Sequence, residues 1–243
     1  MRKSTVTTQQ DASGSYETEI FDCASPKRVI ITAHGNGVRR WDGGKFYYNV
    51  AEHYADAVVM LVDQNQAVGD GCQINPLPIL VSRVQRLIDI AKQKYGGVPI
   101  IVIGHSMGCG VVTQLNLDAV EAVIFVSPAV GAPAKSLVSR YGADIVNGKT
   151  VKTSDGLTKI ITKEYYQSVQ YIVWEDEYQK LTERFSPVYV FESGDDEIVG
   201  EGRFAHRTLP FTSYEIINGA KHNFSGAALS ELLNKIDKVL VLR

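Results

Sequence analysis

The sequence predicts an α/β fold, a mostly parallel central sheet with helices on both faces and a small inserted cap. Three observations predict it. Short apolar, β-branched runs alternate with stretches of helical spacing, which implies a parallel sheet covered on both sides. The run Ile100 to Ile103 breaks at Gly104-His105-Ser106-Met107-Gly108 and continues through Val111 to Leu115, which reads as strand, sharp turn and helix. The alternation lapses between Ala129 and Phe185 and then resumes, as an insertion would make it do. A chain of 243 residues is long enough for one such domain with a buried core.

In chain order, residues 1–15 are polar and are expected to be loose. Tyr16 to Phe21 alternates weakly, as an edge strand does, and Ser25-Pro26-Lys27 is a turn. Arg28 to Ala33 is a buried strand ending in His34-Gly35-Asn36-Gly37. Lys45 to Tyr54 has helical spacing, and Ala57 to Val62 is the next buried strand. Asp63 to Gly71 is a polar loop in which Asp63 and Asp70 serve as turn and cap residues. Pro78 to Tyr95 is an amphipathic helix stopped by Gly96-Gly97. Strand 100–103 and its turn follow, then strand Ala122 to Val126.

Residues 129–185 are expected to form the cap, and 1–128 with 186–243 the core. In the cap, Val151 to Ile161 reads as a hairpin around Asp155-Gly156, and Thr162 to Trp174 as a helix. The sheet resumes with Pro187 to Phe191 and the acidic turn Glu192 to Val199. Ser213 to Ile217 is the last strand, and Ala227 to Leu240 a closing helix.

The balance of 25 Lys+Arg against 27 Asp+Glu gives a net charge of −2, with no basic footprint for nucleic acid or an anionic membrane. No apolar run reaches membrane-helix length, and no apolar segment follows the basic start, so neither a membrane span nor a signal peptide is expected. Three cysteines at long spacings, Cys23, Cys72 and Cys109, form neither a zinc pattern nor a disulfide framework and fit the reduced thiols of a cytoplasmic protein. Cys109 reads as a packing residue. No metal or organic cofactor is implied. The expected partner is a small-molecule substrate, and a homodimer is compatible with the sequence.

A serine on a strand-to-helix bend has its hydroxyl exposed at the carboxyl end of the sheet. Glycines two before and two after it avoid collisions with neighbouring backbone. Alone, G-x-S-x-G is a weak signal; the flanking strand and helix strengthen it. His34-Gly35 upstream, at another strand end, reads as an oxyanion loop whose main-chain N–H at Asn36 would act with that of Met107. Downstream, an acid after the next core strand and His222 after the last strand give the order Ser106, acid, His222. All sit at carboxyl ends of strands, where open α/β sheets bind ligands.

With these residues in place the chain resembles the α/β-hydrolase superfamily of serine hydrolases. His34-Gly35 matches the oxyanion loop, Gly104 to Gly108 the nucleophile elbow, Asp195 to Val199 the acid turn and Gly219 to Phe224 the histidine loop. The inserted cap with its hairpin, Lys152 to Lys159, is similar to the small lids of carboxylesterases, cinnamoyl and feruloyl esterases among them. The resemblance implies a serine hydrolase that cleaves carboxylic esters through an acyl-enzyme. Ser106 would be the nucleophile and His222 the base. Asp196 is preferred as the acid because an Asp three residues before an apolar one, here Val199, is the family form; Asp195 and Ile198 share that form, so Asp195 stays as the alternative. Thioester, amide or peptide cleavage, perhydrolysis and a non-catalytic binding role are the competing functions. Two departures stand out: Asn36 where the family has an apolar residue, and no glycine-rich loop after Asp63.

His34, His105, Tyr166 and Trp174 are candidates to line a substrate pocket, although His105 also fits a packing role. His53 and His206 fall on stretches with helical spacing and read as ordinary surface or core histidines.

Overall fold

A computed structural model of the chain describes residues 2–41, 46–152 and 158–241. Twelve strands and seven α-helices follow one another as β1 (Thr5–Asp11), β2 (Gly14–Phe21), β3 (Arg28–Ala33), α1 (Phe46–His53), β4 (Ala57–Val62), β5 (Gln66–Val68), β6 (Gly71–Ile74), α2 (Leu77–Lys94), β7 (Ile100–His105), α3 (Met107–Val112), β8 (Ala122–Val126), α4 (Pro133–Tyr141), β9 (Lys149–Lys152), β10 (Thr158–Ile161), α5 (Lys163–Val169), α6 (Trp174–Arg184), β11 (Val188–Ser193), β12 (Ser213–Ile217) and α7 (Gly226–Val241).

The main sheet has eight strands in the order β1-β2-β4-β3-β7-β8-β11-β12. From β4 to β12 neighbours are parallel; β1 and β2 add antiparallel pairs at one edge. Because side chains alternate across a strand, the apolar runs feed two cores at once. On one face Val29, Ile31, Met60 and Val102 pack with Leu80, Val84 and Leu87 of α2. On the other, Ile30, Val59, Leu61 and Ile103 pack with Phe46 and Val50 of α1 and Leu232 and Ile236 of α7.

Three expectations change. The loose start contains β1, whose residues pair with β2 from Thr5↔Ile20 to Asp11↔Gly14. Five of its seven side chains are exposed, so burial leaves no apolar pattern to read, while Thr5-Val-Thr-Thr8 carries β-branched residues that favour a strand. The polar loop after Asp63 holds β5 and β6. These join the cap strands in a second sheet, β5-β6-β10-β9, so the cap is built partly on residues 66–74 of the core segment. The cap has helices α4, α5 and α6 rather than a single helix over 162–174; α5 ends at Val169, and α6 begins only at Trp174. The arms of the expected hairpin are present as β9 and β10, paired antiparallel, while its Asp155-Gly156 turn lies outside the described residues.

Candidate active site

The elbow after β7 is strained in the way its sequence requires. Ser106 has φ 55 and ψ −124, a left-handed conformation unusual for a residue with a side chain. Its N–H donates to the Val126 carbonyl (3.0 Å) and its own carbonyl accepts from Ala129 (3.2 Å), which ties the bend to the end of β8. The flanking glycines are steric necessities. A Cβ on Gly104 would stand 2.8 Å from Cys109 Cα, and one on Gly108 would stand 2.0 Å from the Ala33 carbonyl oxygen. Cys109 itself is fully buried, and burial raises its thiol pKa well above the usual range, as befits a packing residue.

His222 lies buried in the loop after β12, with Nδ1 2.7 Å from Asp196 Oδ2. Asp196 sits in the turn after β11. Its Oδ1 accepts N–H bonds from Ile198 (2.9 Å) and Val199 (2.8 Å), and its Oδ2 accepts the Ser193 hydroxyl (2.8 Å). Burial pushes this carboxyl up, but the hydrogen bond and charge of His222, with the Val199 N–H and Ser193 hydroxyl, outweigh it and lower the pKa to about 2. The Asp-to-Val199 spacing thus has a physical content: the carboxylate caps the main chain of the turn it belongs to. Asp195 is exposed and hydrogen-bonds through its main-chain N–H to the Ala220 carbonyl.

His105 joins the two halves of the site. Its Nε2 lies 2.9 Å from the His222 carbonyl oxygen, so that nitrogen carries the proton. Its Nδ1 then accepts from the Tyr47 hydroxyl (3.2 Å), whose oxygen accepts the Gly35 N–H (3.2 Å). A chain of hydrogen bonds runs from the loop after β3, through the residue before Ser106, to the backbone of His222. Burial depresses the His105 pKa to about 3, which keeps the ring neutral, and the two hydrogen-bond partners fix its tautomer.

Ser106 and Asn36, with Arg140, Tyr141 and Ile198, line both of two adjoining cavities. The smaller, about 230 Å³, is faced by Met107, Leu137, Tyr165, Trp174 and Val199. The larger, about 680 Å³, contains His222 together with Arg140, Lys152, Lys159 and Glu197. Asn36 Oδ1 is buried with no hydrogen-bond partner among the described residues, so its amide can serve a bound ligand.

Of the proposed pocket residues, Trp174 lines the smaller cavity and His105 borders the larger through a buried ring. His34 does not line either cavity. It is buried behind the loop, where Nδ1 bonds to Gly35 O (3.1 Å) and Nε2 accepts the Gln64 N–H (2.8 Å). Tyr166 is also displaced from the site. Successive helical residues are turned about 100° apart, and it is Tyr165 that points inward, donating its hydroxyl to Met107 Sδ at 3.1 Å. His53 pairs with Asp237 (2.8 Å) at the surface. His206 lies fully buried, 2.8 Å from Glu192, in a turn after a short 3-10 segment rather than on a helix.

Sequence reasoning also misses Arg40. Its guanidinium is buried against Asp63, with Glu19 at 3.0 Å and Glu17 at 2.7 Å, and its N–H donates to Asp63 (2.9 Å). This anchors the loop carrying Gly35 and Asn36 to β2 and β4. Four charges between residues 17 and 63 carry no short-range signature of such a cluster.

Among the described residues no group of three or more His, Cys, Asp and Glu side chains could hold a metal ion, and no helix is long and apolar enough to cross a membrane.

An eight-stranded, mostly parallel sheet with a serine elbow, an acid turn and a histidine loop at its carboxyl edge defines an α/β-hydrolase. A family model described as serine aminopeptidase, S33, matches residues 24–164, and the chain belongs to that family. No curated protein matches the sequence. Similar solved structures share the fold at low identity. Est1E from Butyrivibrio proteoclasticus is 18% identical, with a TM-score of 0.67 over 98% of this chain and 97% of that one. A soluble variant of monoglyceride lipase from Saccharomyces cerevisiae, in complex with a substrate analogue, is 12% identical with a TM-score of 0.72, covering 96% and 94%. The esterase domain of a Rhodothermus marinus protein is 15% identical with a TM-score of 0.65, covering 96% and 95%.

Proposed function

We propose that the protein hydrolyses carboxylic esters with small or single-ring aromatic acyl groups, through an acyl-enzyme on Ser106. The observation that carries this reading is the His222–Asp196 pair at 2.7 Å, with an aspartate held ionised behind a histidine that lines the same cavity as Ser106. With Nδ1 committed to Asp196, Nε2 of His222 is the nitrogen that takes the Ser106 proton as Oγ attacks the ester carbon. The tetrahedral oxyanion is held by the N–H groups of Asn36 and Met107, each worth about 3–4 kcal/mol of barrier. As the intermediate collapses, His222 returns the proton to the leaving alkoxide. Water then attacks the acyl-enzyme, giving its proton to His222 and regenerating Ser106 with release of the acid.

The cavity beside Met107, lined by Val130, Leu137, Trp174 and Val199 with Arg140 and Ser136 among them, suits the acyl group. At about 230 Å³ it falls below the usual range for drug-sized ligands, which favours short chains or one ring. The family description makes aminopeptidase action the second reading. A substrate with a free α-ammonium on its acyl part needs an anion beside that cavity, and none of its described lining residues is Asp or Glu. Esters are therefore preferred over aminoacyl amides.

A fluorophosphonate probe and a substrate panel test the proposal. Labelling of Ser106 with turnover of p-nitrophenyl acetate and benzoate is expected, together with little activity on aminoacyl amides. Absence of labelling would favour a binding protein, and the reverse substrate preference a peptidase.

A further inference from the structure

We propose that Lys159 of the cap strand β10 is a positioning residue for the oxyanion donor: by holding the Asn36 carbonyl it fixes the direction of the Asn36 N–H. This rests on the ester-hydrolase reading above, which makes that N–H a donor to the tetrahedral oxyanion. Such a donor is worth most when it is aimed before the reaction starts, because nothing then has to reorganise as charge develops. Gly35 precedes Asn36, and Gly37, with φ 65, follows it. With glycine on both sides, the loop's own torsions do little to aim the donor.

The core holds the loop on either side of Asn36. The His34 N–H donates to the Gln64 side chain, the Gly35 N–H to the Tyr47 hydroxyl (3.2 Å), and Asn65 Nδ2 to the Val38 carbonyl (2.9 Å). Gly35 also packs on the nucleophile, where a Cβ would stand 3.3 Å from Ser106 Cβ. Asn36 itself is held from the cap. Lys159 Nζ donates to its carbonyl (3.2 Å), and the lysine stem fills the space that Gly37 leaves, where a Cβ would stand 2.5 Å from Cδ and 2.7 Å from Cε. The donor N–H lies in the peptide plane between residues 35 and 36. The Tyr47 bond fixes the plane before it and the Lys159 bond the plane after it, so the donor plane is pinned at both ends. Strand register delivers the lysine: Lys159 stands between Cys72 of β6 and Val151 of β9. Its ammonium carries three donors, so the further interaction that Lys159 makes tethers the group without removing this bond.

The test separates aim from binding. Lys159→Met keeps a stem over Gly37 and removes the ammonium, and Lys159→Arg restores a donor. Lys159→Met is expected to lower kcat on p-nitrophenyl acetate about ten-fold with KM little changed. That is less than the loss on deleting an oxyanion donor, because the N–H is loosened rather than removed. Lys159→Arg is expected to stay within about three-fold of wild type, since a guanidinium N–H reaches the same carbonyl. Trifluoroacetophenone mimics the tetrahedral state: Ser106 Oγ adds to its carbonyl carbon, the hydroxyl proton passes to His222, and the ketone oxygen becomes the oxyanion. It is expected to bind Lys159→Met about ten-fold more weakly than wild type. Acetophenone, which keeps its trigonal carbonyl, is expected to bind both alike. Unchanged kcat in Lys159→Met, no recovery in Lys159→Arg, or equal weakening of both ketones would overturn the proposal, the last by making Lys159 only a wall of the cavity. Failure of the ester-hydrolase reading looks different, because wild type then neither cleaves the ester nor prefers the trifluoro ketone. Amide hydrogen exchange read by mass spectrometry still decides the clamp in that case: faster exchange across residues 34–38 in Lys159→Met supports it, and unchanged exchange overturns it.

Discussion

His105 donates its Nε2 proton to the main-chain oxygen of His222 across 2.9 Å, so the residue before Ser106 holds the backbone of the residue that would serve as its base. The two rings are also in contact, tilted 47° to each other with centroids 5.0 Å apart. His105 is a positioning residue in this arrangement, since it touches His222 and Tyr47. Its replacement by Ala is expected to lower kcat about 10- to 100-fold, the cost of a small misplacement of a reacting group, with KM little changed. Gln reaches the same carbonyl with an amide N–H and is expected to recover much of the loss. Steady-state kinetics on p-nitrophenyl acetate check both; a rise in KM with kcat intact would mean that His105 shapes binding instead.

The two candidate acids are separable. Asp196 accepts hydrogen bonds from Ile198, Val199 and Ser193 and contacts His222, whereas Asp195 is exposed. Asp196→Asn is expected to reduce kcat about 10⁴-fold, because the amide favours the wrong His222 tautomer. Asp195→Asn is expected to stay within about two-fold of wild type, as for most surface changes. Equal losses in the two variants would require a different partner for His222.

The legible parts were those with a repeating or compact signature. The alternation of apolar runs with helical spacing marks the parallel strands β3, β4, β7, β8 and β11, because burial on both faces forces near-continuous apolar residues. The elbow is legible because backbone at 2.0 Å from a Gly108 Cβ admits no other residue. What escaped depends on contacts between distant segments. Arg40 with Asp63 and Glu19 looks like surface charge in the sequence. Tyr165 rather than Tyr166 faces the cavity because the start of α5 sets the helix phase, and a shift of one residue exchanges the two. The β5–β6 hairpin is polar and short, and its place is decided by pairing with β10 some 90 residues later, as in Lys159↔Cys72.

The smaller cavity has a removable wall. Leu137 of α4 is buried and lines it without belonging to the hydrogen-bonded site. Leu137→Ala is expected to move the acyl optimum toward longer chains. Each added methylene should gain about 0.8 kcal/mol, or about four-fold in kcat/KM relative to wild type, until the new space is filled. A p-nitrophenyl ester series from acetate upward measures the shift. An unchanged length profile would place the acyl group elsewhere.

Two buried histidines give the fold a predictable acid sensitivity. Burial is the main cause that lowers His34 to about 4 and His105 to about 3, against an ordinary value of 6.5. Both rings are neutral in the folded protein at pH 5, whereas in the unfolded chain both bind a proton below about pH 6.5. A depressed histidine pKa means that the unfolded state takes up more protons as pH falls. Stability from these groups is therefore complete above about pH 6.5 and declines toward their folded values. Integrated to pH 5, each costs about 2 kcal/mol, or about 4 kcal/mol together. Asp196 adds its own loss only lower, between the usual carboxylate value of 3.8 and about 2. Urea unfolding at pH 8 and pH 5 is expected to show that drop. His105→Gln is expected to show about half of it, because one of the two titrating rings is gone. A pH-independent wild-type midpoint across this window would mean that the rings reach solvent or an acid before the protein unfolds.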